Sequence, residues 1–335
     1  MSSNSPIDFV IIWVDGSDPQ WLAEKRKHSA DTHSDDRDER YRDWELLPYW
    51  FRGVEKFAPW VNKVHFVTWG HIPKWLNTSH PRLNIVRHED YIPKEYLPTF
   101  SSHPIELNLH RIEGLADNFV YFNDDMFIIS DVKSEDYFKN DIPCDSACLN
   151  VHCYSPDVSF HMCPYRDIGL INRYFDMKTV IKTDLSKWIN LKYGKELLRT
   201  LALLPCPRFP GMWQHHLPSS FKKETFEKLW SLEYDELNET CSHKFRNILD
   251  YNQWLFREWQ IAQGNFVPRK ISFGKSMALD SADECRLICN YITKQKGKNI
   301  CINDGKMSYE DYEKYKSSLI SAFRSILPDK SKFEI

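Results

Sequence analysis

The run Val120 to Ile129, VYFNDDMFII, constrains the possible folds of this chain more than any other stretch. Val120, Tyr121 and Phe122 are β-branched or aromatic and suit a buried strand, whereas Asn123, Asp124 and Asp125 do not. The strand has to stop where the carboxylates begin, so the acidic pair emerges at the edge of a sheet. Open α/β sheets place their chemistry at that edge. Adjacent carboxylates repel each other and are costly to desolvate, yet two hard oxygen donors are what a magnesium or manganese ion carrying a diphosphate requires. The same residues also make an acidic turn that simply ends a strand, and the rest of the chain has to decide.

Ahead of this stretch, strand and helix patterns alternate. Ile7 to Val14, IDFVIIWV, reads as a buried parallel strand ending in the turn Asp15-Gly16-Ser17-Asp18-Pro19. Gly16 allows close backbone approach, and Asp15 and Asp18 are candidates to hold a ribose, base or metal, although DGSDP is also simply a good turn. Glu24 to Arg42 is dense in charge and reads as a solvated segment able to order over a ligand. Leu46, Leu47, Trp50, Phe51 and Val54 predict a helix between Asp43 and Phe57, stopped by Pro59. Val64–Trp69 and Leu83–His88 read as further strands, and Ile105–Leu115 as a helix carrying Glu106, His110 and Arg111. Such crossovers predict an α/β fold, a Rossmann-like, mostly parallel sheet flanked by helices.

After Asp131 the signals weaken. A helical or mixed insert is expected over residues 133–210, as a candidate acceptor-binding region, with 1–132 plus 211–335 forming the catalytic domain. Helices are expected at Lys192–Leu203, Lys222–Trp230 and about Leu249–Gln263, followed by CINDG at Cys301 and a last helix with Tyr312, Tyr315, Leu319, Phe323 and Ile326 on one face.

Composition removes several classes. With 44 basic against 47 acidic residues, no large basic field is available to hold nucleic acid. No apolar run is long enough to cross a membrane and MSSNSPID is no secretory signal, so a cytoplasmic location is expected. Nine cysteines, an odd number, fit free thiols in a reducing compartment. The cluster His152, Cys153, His161 and Cys163 matches no familiar zinc module in its spacing. Gly274-Lys275-Ser276 looks like the end of a phosphate-binding loop, but Arg269 stands where that motif needs a glycine. GxGxxG after a strand, HExxH and GxSxG are all absent. Acidic and Asn-Asp loops, histidines and arginines remain, a set suited to transfer on a diphosphate.

Four blocks in order now give the chain a likeness. They are IDFVIIWVDGSD from Ile7; the stretches RYRDWELLPYWFRGVEKFAPWVNKVHFVTWGHIPKWLN from Arg40 and TFSSHPIELNLHRIEGLADNFVYFNDDMFI from Thr99; HLPSSFKKETFEKLW from His216 with FRNILD from Phe245; and CINDG from Cys301. Together these resemble the Stealth proteins, which include bacterial capsular polysaccharide sugar-1-phosphate transferases and the animal lysosomal-enzyme GlcNAc-1-phosphotransferase. The resemblance implies transfer of a sugar 1-phosphate from a UDP-sugar donor to a hydroxyl of a glycan acceptor, with release of UMP; with no membrane-crossing run in the chain, a lipid-linked acceptor met at the membrane face is a further expectation. It also implies that Asp15, Gly16 and Asp18 hold the nucleotide and that Asp124 and Asp125 hold Mg2+ or Mn2+. His216 matches the histidine of an HxP element, Arg246 and Asp250 an R-x-x-x-D spacing, and Asn303 and Asp304 the last block, with Asp304 a metal candidate and Asn303 a donor-binding one.

Within that likeness His216 is the expected general base, with His110 the runner-up. Arg52 and Arg246 are candidate phosphate ligands, since a guanidinium makes paired hydrogen bonds to phosphate oxygens, and each has a structural ion pair as its alternative. Glu106 and Arg111 read as solvated charges or as companions facing the site. Trp44 stands where the family often has a polar residue, and His215 beside His216 competes for the histidine assignment. Two other functions stay open: a metal-dependent glycosyltransferase releasing UDP, and a carbohydrate-binding protein in which tryptophans stack on sugar.

Overall fold

Phe9 and Ile11 of the first strand enter one hydrophobic core, and Val10 between them enters another. Val120 and Phe122 against Phe119 and Tyr121, and Phe66 against Val67, divide in the same way. That period of two is what a sheet covered on both faces imposes. The computed structural model describes residues 5–28, 43–152 and 162–335.

The strands are β1 (Ile7–Trp13), β2 (Val64–Thr68), β3 (Leu83–Arg87), β4 (Asn118–Phe122), β5 (Met126–Ile128), β6 (Phe138–Lys139), β7 (Ile142–Asp145), β8 (Ser219–Lys222), β9 (Val267–Pro268), β10 (Gly274–Leu279) and β11 (Asn299–Asp304). The main sheet has the order β3-β2-β1-β4-β8, parallel except for the antiparallel edge strand β8. The chain leaves β1 for β2 on one side, and later adds β4 on the other, so the strand order reverses between β1 and β4. Such a switch point opens a crevice at the carboxyl ends of the two strands. A second sheet, β10-β11-β5, and a small third, β6-β7-β9, complete the framework.

Among the helices, α1 (Pro19–His28), α2 (Leu47–Phe57), α3 (His88–Tyr91) and α4 (Ser102–Leu107) belong to the first half. The expected insert supplies α5 (Cys163–Tyr174), α6 (Met177–Thr183), α7 (Leu185–Trp188) and α8 (Glu196–Leu203), and α9 (Lys223–Leu232), α10 (Tyr234–Ser242) and α11 (Trp254–Ala262) follow it. The chain closes with α12 (Ala282–Thr293) and α13 (Tyr309–Ile326). α2, β5, β11, α12 and α13 pack on one face of the main sheet, while α5 and α9–α11 share the core on the other. No helix among the described residues is long and apolar enough to cross a membrane. Every described cysteine is free, and Cys153 and His161 of the His/Cys cluster lie outside the described residues.

Three sequence expectations change. Ile105–Leu115 is not one helix: α4 ends at Leu107 and a 3-10 turn at Leu109–Arg111 follows, because the Asn108 side chain donates to Pro104 O and to Cys241 Sγ. The helix expected from Lys192 begins only at Glu196, and that expected from Leu249 begins at Trp254. Gly274-Lys275-Ser276 lies in β10, which excludes a phosphate-binding loop on conformation as well as sequence.

The region 133–210 is fastened to the remainder by a buried charge cluster. Arg257 of α11 donates through Nε and Nη2 to the two oxygens of Asp145 at 2.8 Å each, and His215 Nε2 lies 3.1 Å from the same carboxylate. Burial opposes the charge on Asp145, but Arg257 and His215 prevail and hold its carboxyl far below the ordinary range. Removing one partner of such a pair strands the other. Arg257→Met is therefore expected to lower unfolding stability by about 3–5 kcal/mol in a urea titration. A loss below about 1 kcal/mol would show that the cluster does not anchor this region.

Candidate functional site

A cleft of about 760 Å3 opens at the switch point, within the usual size range of small-molecule sites. Asp15 reaches it from the end of β1, and Asn123, Asp124 and Asp125 from the end of β4. The last block arrives by strand pairing. β5 runs antiparallel to β11 with Met126 opposite Cys301, and Ile302 N donates to Asp125 O at 3.0 Å, which delivers Asn303 and Asp304 beside the NDD loop. Gly53 of α2 lets β5 come close: a Cβ there would stand 2.8 Å from Ile128 O.

Asp15, Asp43, Asp124, Asp125 and Asp304 all line this cleft. None of Asp15, Asp43 and Asp124 forms an ion pair with Lys or Arg among the described residues. Asp124 lies within the cleft walls yet keeps an exposed face. Enclosure, then Asp125, then Asp43 push its carboxyl up to about 7. Asp43 is raised in the same way, by burial and by Glu45 and Asp15. One oxygen of Asp125, Oδ1, is buried without a hydrogen-bond partner. Crowded carboxylates and an orphaned oxygen fit a hard divalent cation, which would relieve both.

His216 is clamped by two carboxamides. Its Nδ1 lies 2.6 Å from Asn303 Oδ1 and its Nε2 lies 2.8 Å from Asn123 Nδ2. Asn303 Nδ2 donates to Ser276 Oγ at 2.7 Å, while Asn123 Oδ1 accepts from Tyr121 Oη, and that hydroxyl lies 3.1 Å from Glu106 Oε1. These partners assign the proton of a neutral ring to Nδ1 and leave Nε2 as the acceptor. Asp125 Oδ2 stands 3.8 Å from Nδ1. His215 is removed from contention: it is buried against Asp145, and burial and then Arg257 lower its pKa to about 4.

Arg246 lines the cleft, donating to Ser102 Oγ at 3.1 Å, and forms no ion pair among the described residues. Asp250 is buried behind it and accepts from His103 Nδ1 and His243 Nδ1 at 2.7 Å each. Burial works against the Asp250 charge, but these histidines outweigh it and keep the carboxyl below its ordinary range.

Several expected site residues stand elsewhere. Arg52 is held by Glu334 through two bonds of 2.9 and 2.7 Å and also donates to Leu327 O, so its fork is spent on the C-terminal segment and does not reach the cleft. His110 is not a base here: the break at Asn108 turns it from Glu106 toward the rings of Phe226 and Trp230, where burial, Arg111 and Lys223 lower its pKa to about 3. Arg111 lies over the Trp230 ring and donates to Asn108, whereas Glu106 does line the cleft. Asp18 accepts from Gln20 N and Trp21 N and so caps α1, away from the main cleft. Gly16 lies in the turn and does not line the cleft, and Asn303 orients His216.

Other residues went unrecognised in the sequence. His103 and Asp43 line the cleft, and Asn123 holds His216 Nε2. Trp44 does belong to the site, its indole donating to Asp304 Oδ2 at 3.3 Å.

Family models for two conserved regions of Stealth proteins match this chain, conserved region 1 over residues 5–31 and conserved region 2 over residues 40–144. The chain is 42% identical to a capsular polysaccharide phosphotransferase of Streptococcus pneumoniae over 341 residues, spanning 100% of this chain and 99% of the relative. It is 40% identical to an exopolysaccharide phosphotransferase of Lactiplantibacillus plantarum over 329 residues, spanning 98% and 96%. Among solved structures, a bifunctional glycosyltransferase in its apo form aligns over 96% of this chain and 52% of its own at 10% identity and a TM-score of 0.38, a likeness too slight to bear on function.

A carboxyl raised on folding keeps its proton where the unfolded chain has lost it, so stability falls as pH rises from about 4 toward 7. Asp124→Asn removes that penalty. Melted without divalent cations, the variant is expected to be more stable than the parent at about pH 8, with the gap closing toward pH 4. A gap that does not change with pH would contradict the raised carboxyl.

Proposed function

The chain belongs to the Stealth family, and on that premise we propose that it transfers a sugar 1-phosphate from a UDP-sugar to a hydroxyl of a glycan acceptor in capsular or exopolysaccharide synthesis. The acceptor oxygen bonds to the phosphorus that carries the sugar, the bond from that phosphorus to the bridging oxygen of the diphosphate breaks, and UMP departs with the bridging oxygen. The observation that supports this best is His216, held with Nε2 as acceptor beside the NDD carboxylates.

In this reading the acceptor hydroxyl replaces the Asn123 carboxamide at His216 Nε2 and gives up its proton there as the new bond forms. Asn303, fixed by Ser276, keeps the ring oriented throughout. Arg246 faces the phosphates, its guanidinium not engaged by any carboxylate among the described residues. Asp124, Asp125 and Asp304 would hold Mg2+ or Mn2+, which supplies neutralisation of the diphosphate charge. The glycan acceptor is lipid-linked in this proposal, and the protein acts at the cytoplasmic face of the membrane.

Nucleotide products separate the alternatives: UMP from phosphosugar transfer, UDP from glycosyl transfer, and neither from a binding protein. With a panel of UDP-sugars and purified acceptor glycan, UMP is expected, and exhaustive EDTA treatment is expected to abolish its release. Release of UDP, or full turnover after EDTA, would overturn the respective assignment. Asp124→Asn and Asp125→Asn should each lower turnover about a hundredfold or more, the scale of losing one preorganised electrostatic group. His216→Ala should lower it about 10²–10⁴-fold. Parent-like rates in both aspartate variants would end the metal assignment.

A further inference from the structure

α8 carries leucines on every side, but only one side has a core to enter. Leu197, Leu203 and Leu204 pack inward, and Thr200 accepts from Leu149 N at 3.1 Å. The outward face exposes Leu198 at 70% and Leu201 at 42%, and Leu191 in the preceding 3-10 turn is 89% exposed. A large apolar side chain left in water loses the stabilisation of burial, and three so close in sequence form a feature rather than scatter.

Charge accompanies them. The whole chain has a net charge of -3, yet from Met177 to Arg208 there are seven basic residues against two acidic ones. Both acids are already engaged: Asp184 with Lys187 at 3.0 Å and Glu196 with Arg199 at 2.8 Å. Lys192 and Lys195 flank the leucines and have no carboxylate partner among the described residues. Helical spacing puts Lys195, Leu198, Arg199 and Ala202 on one face.

We propose that the turn at Leu191–Tyr193 and the outer face of α8 form a docking surface for an anionic lipid bilayer, the leucines entering the acyl boundary and the basic residues meeting the headgroups. Paired apolar and cationic signals suit reversible attachment better than a protein groove, which would call for shape and hydrogen-bonding groups. The position is useful as well. Leu149 forms a β-bridge with Met212, Trp213 N donates to Cys148 O, and the next residue, Gln214, lines the cleft, so α8 braces the segment that leads to His216. Attachment through α8 would bring the site to a lipid-borne acceptor.

Vesicle cosedimentation tests this without any turnover, so its failure is distinct from failure of the phosphosugar-transfer proposal. The full chain is expected to pellet with mixed phosphatidylglycerol and phosphatidylcholine vesicles, much less with phosphatidylcholine alone, and less again as salt is raised. The triple variant Leu191→Ser, Leu198→Ser, Leu201→Ser should bind at least about tenfold more weakly, and so should Lys192→Glu with Lys195→Glu. All these positions are on the surface, and unchanged melting of the variants confirms folding. Equal pelleting of parent and leucine variant, or no preference for the anionic lipid, would overturn the proposal. So would a parent dimer, seen by analytical ultracentrifugation, that the leucine changes dissolve while vesicle binding is absent.

Discussion

Five carboxylates share one cleft, and their mutual repulsion is the constraint around which the rest of the site is built. Asp15 and Asp43 repel each other, as do Asp124 and its neighbours Asp125 and Asp43. A chain selected only for stability would not gather these charges at the rim of its core. Local rules broken at one place, within a fold that otherwise obeys them, are a mark of function. The broken rule also indicates the ligand. Surplus negative charge attracts a cation, and a cation so held still has attraction left for a diphosphate.

The fold concentrates that charge by bringing strand ends together. β1 and β4 are adjacent and parallel, so their carboxyl ends, with Asp15 and the NDD loop, meet at one edge. The pairing of β5 with β11 does the harder task, because it joins segments far apart in sequence at a register set by Met126 and Cys301. A slip of one residue would turn Asn303 away from His216. The small side of Gly53 matters for the same reason, since a larger residue would push β5 and its loop out of line.

Sequence carries the strands and their carboxylates well because buried parallel strands are apolar and polar residues at their ends stand out. β1, β2, β3 and β4 lie within a residue or two of where hydrophobic runs put them, and Asp15, Asp124, Asp125, His216 and Asp304 do meet in one cleft. Side-chain direction is what the sequence leaves open. Arg52 and Arg246 are equally plausible phosphate ligands as residues, and only the position of Glu334, at the far end of the chain, separates them. The helix expected to carry Glu106, His110 and Arg111 together is broken by a single asparagine bonding back to Pro104, and His110 leaves the site. His103 and Asp43 lie inside the quoted blocks, but nothing in their spacing sets them apart from their neighbours. Asp250 was visible through its spacing from Arg246, but nothing in sequence joins it to His103 at 2.7 Å.

Of the cleft histidines, His103 and His216 are held in different ways, and the difference bears on their work. Asp250 sets a full negative charge against Nδ1 of His103 and holds that ring to a buried, already bridged carboxylate. His216 has a carboxamide as the nearest partner of each nitrogen, and the Asp125 carboxylate stands farther off, 3.8 Å from Nδ1. A carboxamide contact costs little to exchange for a substrate hydroxyl, because one neutral hydrogen bond replaces another. Breaking His103 from Asp250 would instead leave a buried carboxylate short of a partner. A ring that has to release a contact, accept a proton and return belongs in the first setting. A ring that has to stay still belongs in the second.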